Sequence, residues 1–409
     1  MKTLRKILLY LFFILFSLNG AETPYVLLIS FDGFRADYLD WYPTPHFDEL
    51  AQTGVKADGL KPVFVSKTFP NHYSIATGMY IETHGLVGNY FYDEKLDETY
   101  TISDRSKVED ARFYGGEPIW VTAEKQGVKS ASYFWVGSEA PVGGIQPSIW
   151  KKYDHHFPFP ARIDSVAKWF SLPEKIRPHL VLLYFHEPDN TGHRYGPRSP
   201  ETEAMVDSMD VLLGQIMSSM KKLDIFSKLN IIVLADHGMV AISPDRTIDL
   251  PDYVDLSGIK QEGSGPFSLL YGRDKEKLDH IVNQLKTVPH LRAYKKKDIP
   301  NRYHFKHHYR IKDVLLVADE GWYILEKKYH GADKWSLKFL KGGTHGYDNE
   351  LRSMEAIFLA EGPAFKKGYI RPTFENIHVY PLIAKILGLT PYEKIDGKLE
   401  KISDVLIDD

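Results

Sequence analysis

Tyr25-Val-Leu-Leu-Ile-Ser30 runs directly into Phe31-Asp32-Gly33. Two later stretches repeat the pattern: Leu180-Val-Leu-Leu-Tyr-Phe185 ahead of His186-Glu-Pro-Asp189, and Ile231-Ile-Val-Leu-Ala235 ahead of Asp236-His237-Gly238. Runs this short, rich in Val, Leu and Ile and closed by turn residues, predict strands buried on both faces, as in the middle of a parallel sheet. The intervening text is helical. Ser199-Pro200-Glu201 supplies a cap, a first-turn proline and a first-turn acid, and Met205, Met209, Leu212, Leu213, Ile216 and Met220 follow with helical spacing. Pro45–Gln52, Arg162–Phe170 and Asn376–Leu387 read as further helices, the last bent or restarted at Pro381. Strands alternating with helices predict an α/β fold with a doubly wound, mostly parallel central sheet.

From about Asp252 to Lys341 the text turns rich in Lys, His, Tyr and Asp. It holds a helix-like segment at Lys275–Leu285 and strand-like pieces at Val314–Val317 and Trp322–Leu325. Residues 252–341 are therefore expected to form a small α+β insertion, or cap, within one catalytic domain spanning 22–409. Ser353–Leu359 then resumes the buried-strand pattern.

A chain of 409 residues that is 43% hydrophobic and 13% aromatic falls in the globular class. Lys2, Arg5 and Lys6 precede the apolar run Ile7–Leu18, which is too short for a membrane span, and Asn19-Gly20-Ala21 offers small residues for cleavage. Residues 1–21 read as a signal peptide, so the protein is expected to be exported, periplasmic or secreted, with no stable membrane span after processing. Removing residues 1–20 moves the formal charge from −3 to −6. That acidity argues against a nucleic-acid polymer as partner. With no cysteine, thiolate metal sites and cysteine nucleophiles are excluded, and any metal must be held by His and carboxylates.

Ligands of open α/β sheets bind at the carboxyl ends of the strands, where Asp32, Asp189 and Asp236 all fall. One such Asp is usually a turn or cap residue; three, with histidines at short spacing, point elsewhere. Asp189-Asn-Thr-Gly-His193 sets a carboxylate and an imidazole across a turn, Asp236-His237 sets them side by side, and His345 lies in Gly342-Gly-Thr-His-Gly346. Mixed nitrogen and oxygen donors suit zinc better than magnesium or calcium. Thr68, in Ser66-Lys-Thr-Phe-Pro-Asn-His72, precedes a short helical pattern, so its hydroxyl would stand at a helix N-terminus that favours anions. A metal ion could turn it into a nucleophile.

With these residues the chain resembles the nucleotide pyrophosphatase/phosphodiesterase family of the alkaline phosphatase superfamily. The matching blocks are Ser30-Phe-Asp-Gly-Phe-Arg35, Lys67-Thr-Phe-Pro-Asn-His-Tyr73, Thr77-Gly78, His84-Gly85 with Asn89, Glu117-Pro-Ile-Trp120, Phe134-Trp135 through Gly137-Ser138, Glu187-Pro-Asp189 with Gly192-His193, Ala235-Asp-His-Gly-Met239 and Gly343-Thr-His-Gly346. They occur in the family's order through nearly the whole mature chain. The resemblance implies an alkaline-phosphatase-like fold and two Zn2+ ions, one on Asp32, Thr68, Asp236 and His237, the other on Asp189, His193 and His345. It implies attack on phosphorus by Thr68, a phosphothreonine intermediate, and Asn89 donating to a nonbridging oxygen beside a backbone N–H. Phe69 and Tyr153 match the places of a base clamp, so the expected substrate is a small phosphodiester or pyrophosphate, with a nucleotide cleaved to a nucleoside 5'-monophosphate as the favoured case.

Three alternatives share this site: a phosphate monoesterase, a lysophospholipid or choline-type phosphodiesterase, and a non-catalytic zinc- or nucleotide-binding relative. Monoesterases place positive charge over the phosphate. Trp135-Val-Gly-Ser-Glu139 offers none, leaving Lys151, Lys152 and Arg112 to reach in from elsewhere. His72 and His84 are expected to support the site's loops. Tyr303–Tyr309, His46, His155, His156, His179 and His330 are expected to be ordinary exposed positions.

Overall fold

A computed structural model describes residues 24–333 and 335–407; the signal-peptide reading lies outside the described residues. Eight strands make the central sheet: β1 Tyr25–Phe31, β2 Val55–Ala57, β3 Ser130–Tyr133, β4 Ile149–Lys151, β5 Leu180–Phe185, β6 Leu229–Leu234, β7 Phe358–Glu361 and β8 Tyr369–Arg371. Their order is β8-β2-β7-β6-β1-β5-β3-β4. Only β7 runs antiparallel to its neighbours β6 and β2, so the sheet is mostly parallel. Every residue of β1, β5 and β6 is buried, which is why these strands lack the alternation of a half-exposed sheet.

Register places the site. In the run β6-β1-β5, Ser30 lies opposite both Leu234 and Tyr184. Asp32 and Asp236 therefore leave adjacent strands at one level, and the Asp189 N–H donates to the Asp32 carbonyl at 3.0 Å. Gly33, at φ +67°, permits this convergence, because a Cβ there would lie 2.8 Å from the Cβ of Asp189.

Helices Pro45–Thr53, Phe159–Phe170 and Pro200–Met220 pack together, as do Thr68–Thr77, Ile119–Lys125 and Val379–Ile386. Pro381 sits in the first turn of the last helix, where a missing N–H costs no intrahelical bond. Residues 353–359 differ from expectation. Arg352–Met354 is a 3-10 turn, and the strand begins only at Phe358. Met354 is nonetheless fully buried, so apolar character alone imitated a strand.

A second, four-stranded antiparallel sheet comprises Ile259–Glu262, Phe267–Gly272, Val314–Ala318 and Leu291–Lys295, in that order. Helix Lys275–Leu285 packs on it through Leu278, Ile281, Val282 and Leu285. The Tyr303–Tyr309 tract is not simply surface. Tyr303 and Phe305 are buried, and Tyr303 stacks on Phe64 with ring centroids 4.2 Å apart, because the tract closes the gap between this sheet and the strand-to-helix loop ahead of Thr68.

Candidate active site

The fold gathers the chemistry-bearing residues into two groups, Asp32 with Asp236 and His237, and Asp189 with His193 and His345. Within each group the nearest donor atoms all lie within 4.8 Å of one another. The groups adjoin, since the His237 and His345 rings stack at 3.4 Å between centroids. Thr68 is the first residue of helix Thr68–Thr77, and its Oγ1 lies 3.2 Å from His237 Nε2.

Each imidazole is fixed by the main chain. Nδ1 of His237 donates to the Gly238 carbonyl at 2.9 Å, that of His193 to Gly343 at 2.8 Å, and that of His345 to Ser66 at 2.7 Å. A carbonyl only accepts, so Nδ1 carries the proton and Nε2 turns inward with its lone pair available to a cation. The carboxylates are tethered in a matching way. Asp32 Oδ2 accepts from the Tyr184 hydroxyl at 2.6 Å and Asp236 Oδ1 from the Gly33 N–H at 3.2 Å. Their other oxygens, Asp32 Oδ1 and Asp236 Oδ2, and Asp189 Oδ1 are buried without a hydrogen-bond partner. Nitrogens meet these oxygens at 2.9 Å (His237 to Asp236), 3.5 Å (His193 to Asp189) and 3.7 Å (His345 to Asp189). Inward lone pairs facing orphaned carboxylate oxygens repel unless a cation lies among them. The residues thus fit divalent metal ions with mixed nitrogen and oxygen donors.

Local electrostatics differ between the two groups: against the effect of burial, the Asp236 charge raises the His237 imidazole, and His237 in turn lowers the Asp236 carboxyl. Burial pushes the Asp32 carboxyl well up, and the charges of Asp236 and Asp189 add to it. Burial also holds His345 well below the ordinary imidazole range, reinforced by His237. Lys67, beside the nucleophile candidate, is pushed down to about 8 by burial, opposed by Asp189. His72 is a support, as expected: its Nε2 lies 2.8 Å from Ser30 Oγ and its Nδ1 3.0 Å from the Thr68 carbonyl. His84 plays the same part through Ser74 Oγ, at 2.8 Å.

Asn89 is brought to the helix start, where its Oδ1 accepts from the Phe69 N–H at 3.1 Å. That bond orients the amide and leaves Nδ2 as a free donor near Thr68. Phe69 and Tyr153 line one cavity of about 270 Å³ together with Asp32, Thr68 and Asp189.

Several wall residues carried no signal of spacing. Arg105 enters the cavity, pairs with Glu139 and lies 5.6 Å from the Tyr153 ring. Of the cations expected to reach in, Arg112 is bound instead to Asp110 and Glu98, Lys152 to Glu109, and neither they nor Lys151 line the cavity. His155 is exposed, as expected, yet it stacks on His186 at 4.0 Å and both residues line the cavity. Only folding brings residues 105, 139, 155 and 186 together, so their sequence spacing could not have shown it.

A parallel α/β sheet with paired imidazole–carboxylate groups around a helix-start hydroxyl defines a metal-centre α/β protein of hydrolytic type. The chain belongs to the type I phosphodiesterase / nucleotide pyrophosphatase family, whose model matches residues 26–348. It is 41% identical over 383 residues to the venom phosphodiesterase of Naja atra, covering 91% of this chain and 45% of the relative. The chain therefore spans about half the length of that relative. It is 38% identical to the bis(5'-adenosyl)-triphosphatase enpp4 of Xenopus laevis, covering 91% and 79% of the two chains. The solved structure of human ectonucleotide pyrophosphatase/phosphodiesterase 5 superposes with TM-score 0.87 at 34% identity, over 94% of this chain and all of that one. The murine counterpart, solved as an inactive threonine-to-alanine variant in complex with AMP, gives the same TM-score of 0.87.

Proposed function

We propose that the protein is an exported, metal-dependent phosphodiesterase that cleaves phosphodiester or pyrophosphate bonds of nucleotides and releases nucleoside 5'-monophosphates. The observation that carries the reading is the set of three main-chain-locked imidazoles and three orphaned carboxylate oxygens around Thr68. Asp32, Asp236, His237 and Thr68 would hold one zinc ion, and Asp189, His193 and His345 a second. When bound, such ions lower the pKa of a coordinated hydroxyl or water and neutralise charge on phosphate oxygens.

Thr68 is the nucleophile in this reading. Its Oγ1 attacks phosphorus, the leaving-group oxygen departs opposite, and water then hydrolyses the nucleotidyl–threonine ester, releasing the nucleoside 5'-monophosphate and restoring the hydroxyl. Two in-line displacements give net retention. Asn89 Nδ2 donates to a nonbridging oxygen, a contact worth most as charge builds there. Phe69 and Tyr153 hold a base by stacking, which accepts every base. The murine relative, inactive as a threonine-to-alanine variant and in complex with AMP, supports a threonine nucleophile and a nucleotide substrate. The venom relative's name and the N-terminal sequence support export. Among the described residues, no helix is long and apolar enough to cross a membrane.

The diester reading is favoured over the monoester one because Arg105, the cation that lines the cavity, is neutralised by Glu139. The test is hydrolysis of bis-p-nitrophenyl phosphate, p-nitrophenyl phosphate and the p-nitrophenyl ester of thymidine 5'-monophosphate by zinc-loaded protein. The nucleotide ester should be cleaved fastest, and Thr68→Ala should cleave none of the three. Preference for the monoester would make the protein a phosphatase. Activity surviving in Thr68→Ala would sink the covalent mechanism.

A further inference from the structure

A separate cavity of about 630 Å³ touches none of the candidate metal ligands, yet its walls continue the segments that carry them. Arg35 follows Asp32, Tyr195 to Arg198 follow His193, Val240 to Ile242 follow His237, and Gly342 precedes His345. Gly342 is needed for this closeness, since at φ +88° a Cβ there would lie 2.1 Å from the His193 carbonyl oxygen.

Three guanidiniums line the cavity, those of Arg35, Arg198 and Arg246, against one carboxylate, Glu320. The Trp41 ring centre lies 3.5 Å from Arg198 Cζ and 4.5 Å from Arg35 Cζ. The indole thus covers guanidinium faces and leaves their N–H edges to donate. Arg35 is engaged by Asp37 and by the Met239 carbonyl, and Asp37 also takes Arg352. Arg198 and Arg246 make no ion pair among the described residues, and Arg246 Nε is buried without an acceptor. Arg246 spends one Nη2 N–H on the Ala241 carbonyl at 2.8 Å, but neither it nor Arg198 is neutralised by a carboxylate, and arginines so placed in a concavity with excess positive charge suit a doubly charged oxyanion.

We propose that this cavity is a phosphate-type oxyanion site, with Arg198 and Arg246 as its donors, set on the same loops as the catalytic centre. The occupant is either free phosphate or the phosphoryl end of a bound nucleotide; the second source rests on the phosphodiesterase reading, whereas the site itself does not.

The test is calorimetric titration with inorganic phosphate of a protein whose second cluster is removed by His193→Ala and His345→Ala. One equivalent should still bind, and Arg198→Glu or Arg246→Met added to that background should weaken it about tenfold or more. Arg198 is exposed, so its substitution does not endanger folding. If the occupant is a nucleotide's phosphoryl end, Arg198→Glu in the otherwise wild-type protein raises KM for ATP about fivefold or more and leaves KM for the thymidine nitrophenyl ester unchanged. If it is free phosphate, both KM values stay and only the titration changes. Phosphate binding indifferent to both arginine substitutions, or absent at millimolar phosphate, overturns the site whatever the activity assays show.

Discussion

Asn89 shows how much one side chain can be asked to do. Its carbonyl oxygen is used on the Phe69 N–H, so only the amide nitrogen is left for substrate. Asn89→Ala should lower kcat by about 100-fold or more, the cost of removing one oxyanion donor, with little change in melting temperature. An unchanged kcat would remove Asn89 from the mechanism. Asp32 carries a second prediction. Burial and two neighbouring carboxylates oppose its ionised form, so in metal-free protein Asp32→Asn should raise stability, by about 1 kcal/mol. The same variant should lose most of the melting-temperature rise that zinc gives the wild type. A variant less stable than wild type after chelation would contradict the repulsion argument.

The helix Thr68–Thr77 depends on the loop before it. Asn71 ties that loop down: its Oδ1 accepts from the Val63 N–H at 2.8 Å and from Asn376, while its Nδ2 donates to the Val65 and Lys67 carbonyls at 2.9 Å. The loop includes Ser66, whose carbonyl fixes His345. Asn71→Ala should therefore cost about 3 kcal/mol in chemical denaturation and also weaken zinc affinity, although Asn71 touches no candidate ligand. Normal zinc affinity in the destabilised variant would show that the loop and the site are independent. At this scale the sequence was legible wherever chemistry followed a strand end, as at Asp32, Asp189 and Asp236. It misled at 353–359, where Met354, Ala356 and Ile357 are buried but lie ahead of the strand that begins at Phe358. It was silent on Arg105, His155 and His186, whose meeting depends on packing and not on any periodicity.

Across the whole molecule, the second sheet and the antiparallel hairpin of Tyr90–Asp93 with Glu98–Thr101 meet through a few buried ionic groups. Arg310 reaches Asp93 at 2.6 Å and the Gly85 and Phe113 carbonyls at 2.7 Å. Glu262 accepts from the Tyr92 N–H at 3.0 Å, but its Oε1 is buried without a partner, and burial pushes its pKa up to about 7. A carboxyl whose folded pKa is raised binds a proton more readily when folded, so its neutral form favours the native state. As pH rises from the unfolded value near 4.5 through about 7, stability should fall, by up to about 3 kcal/mol. Glu262→Gln should flatten that fall and be the more stable protein at pH 8 in thermal unfolding. A wild type whose stability rises over this range, relative to the variant, would reject the assignment.

Three ring nitrogens anchored to peptide carbonyls also govern how the centre can change over generations. Among the described residues, main-chain carbonyls hold Nδ1 of His193, His237 and His345, so a side-chain substitution reaches the tautomer only by moving the backbone that carries those carbonyls. Selection for a different cation, in nature or in the laboratory, must therefore act through the three aspartates or through the backbone itself. The histidines will be the last positions to drift.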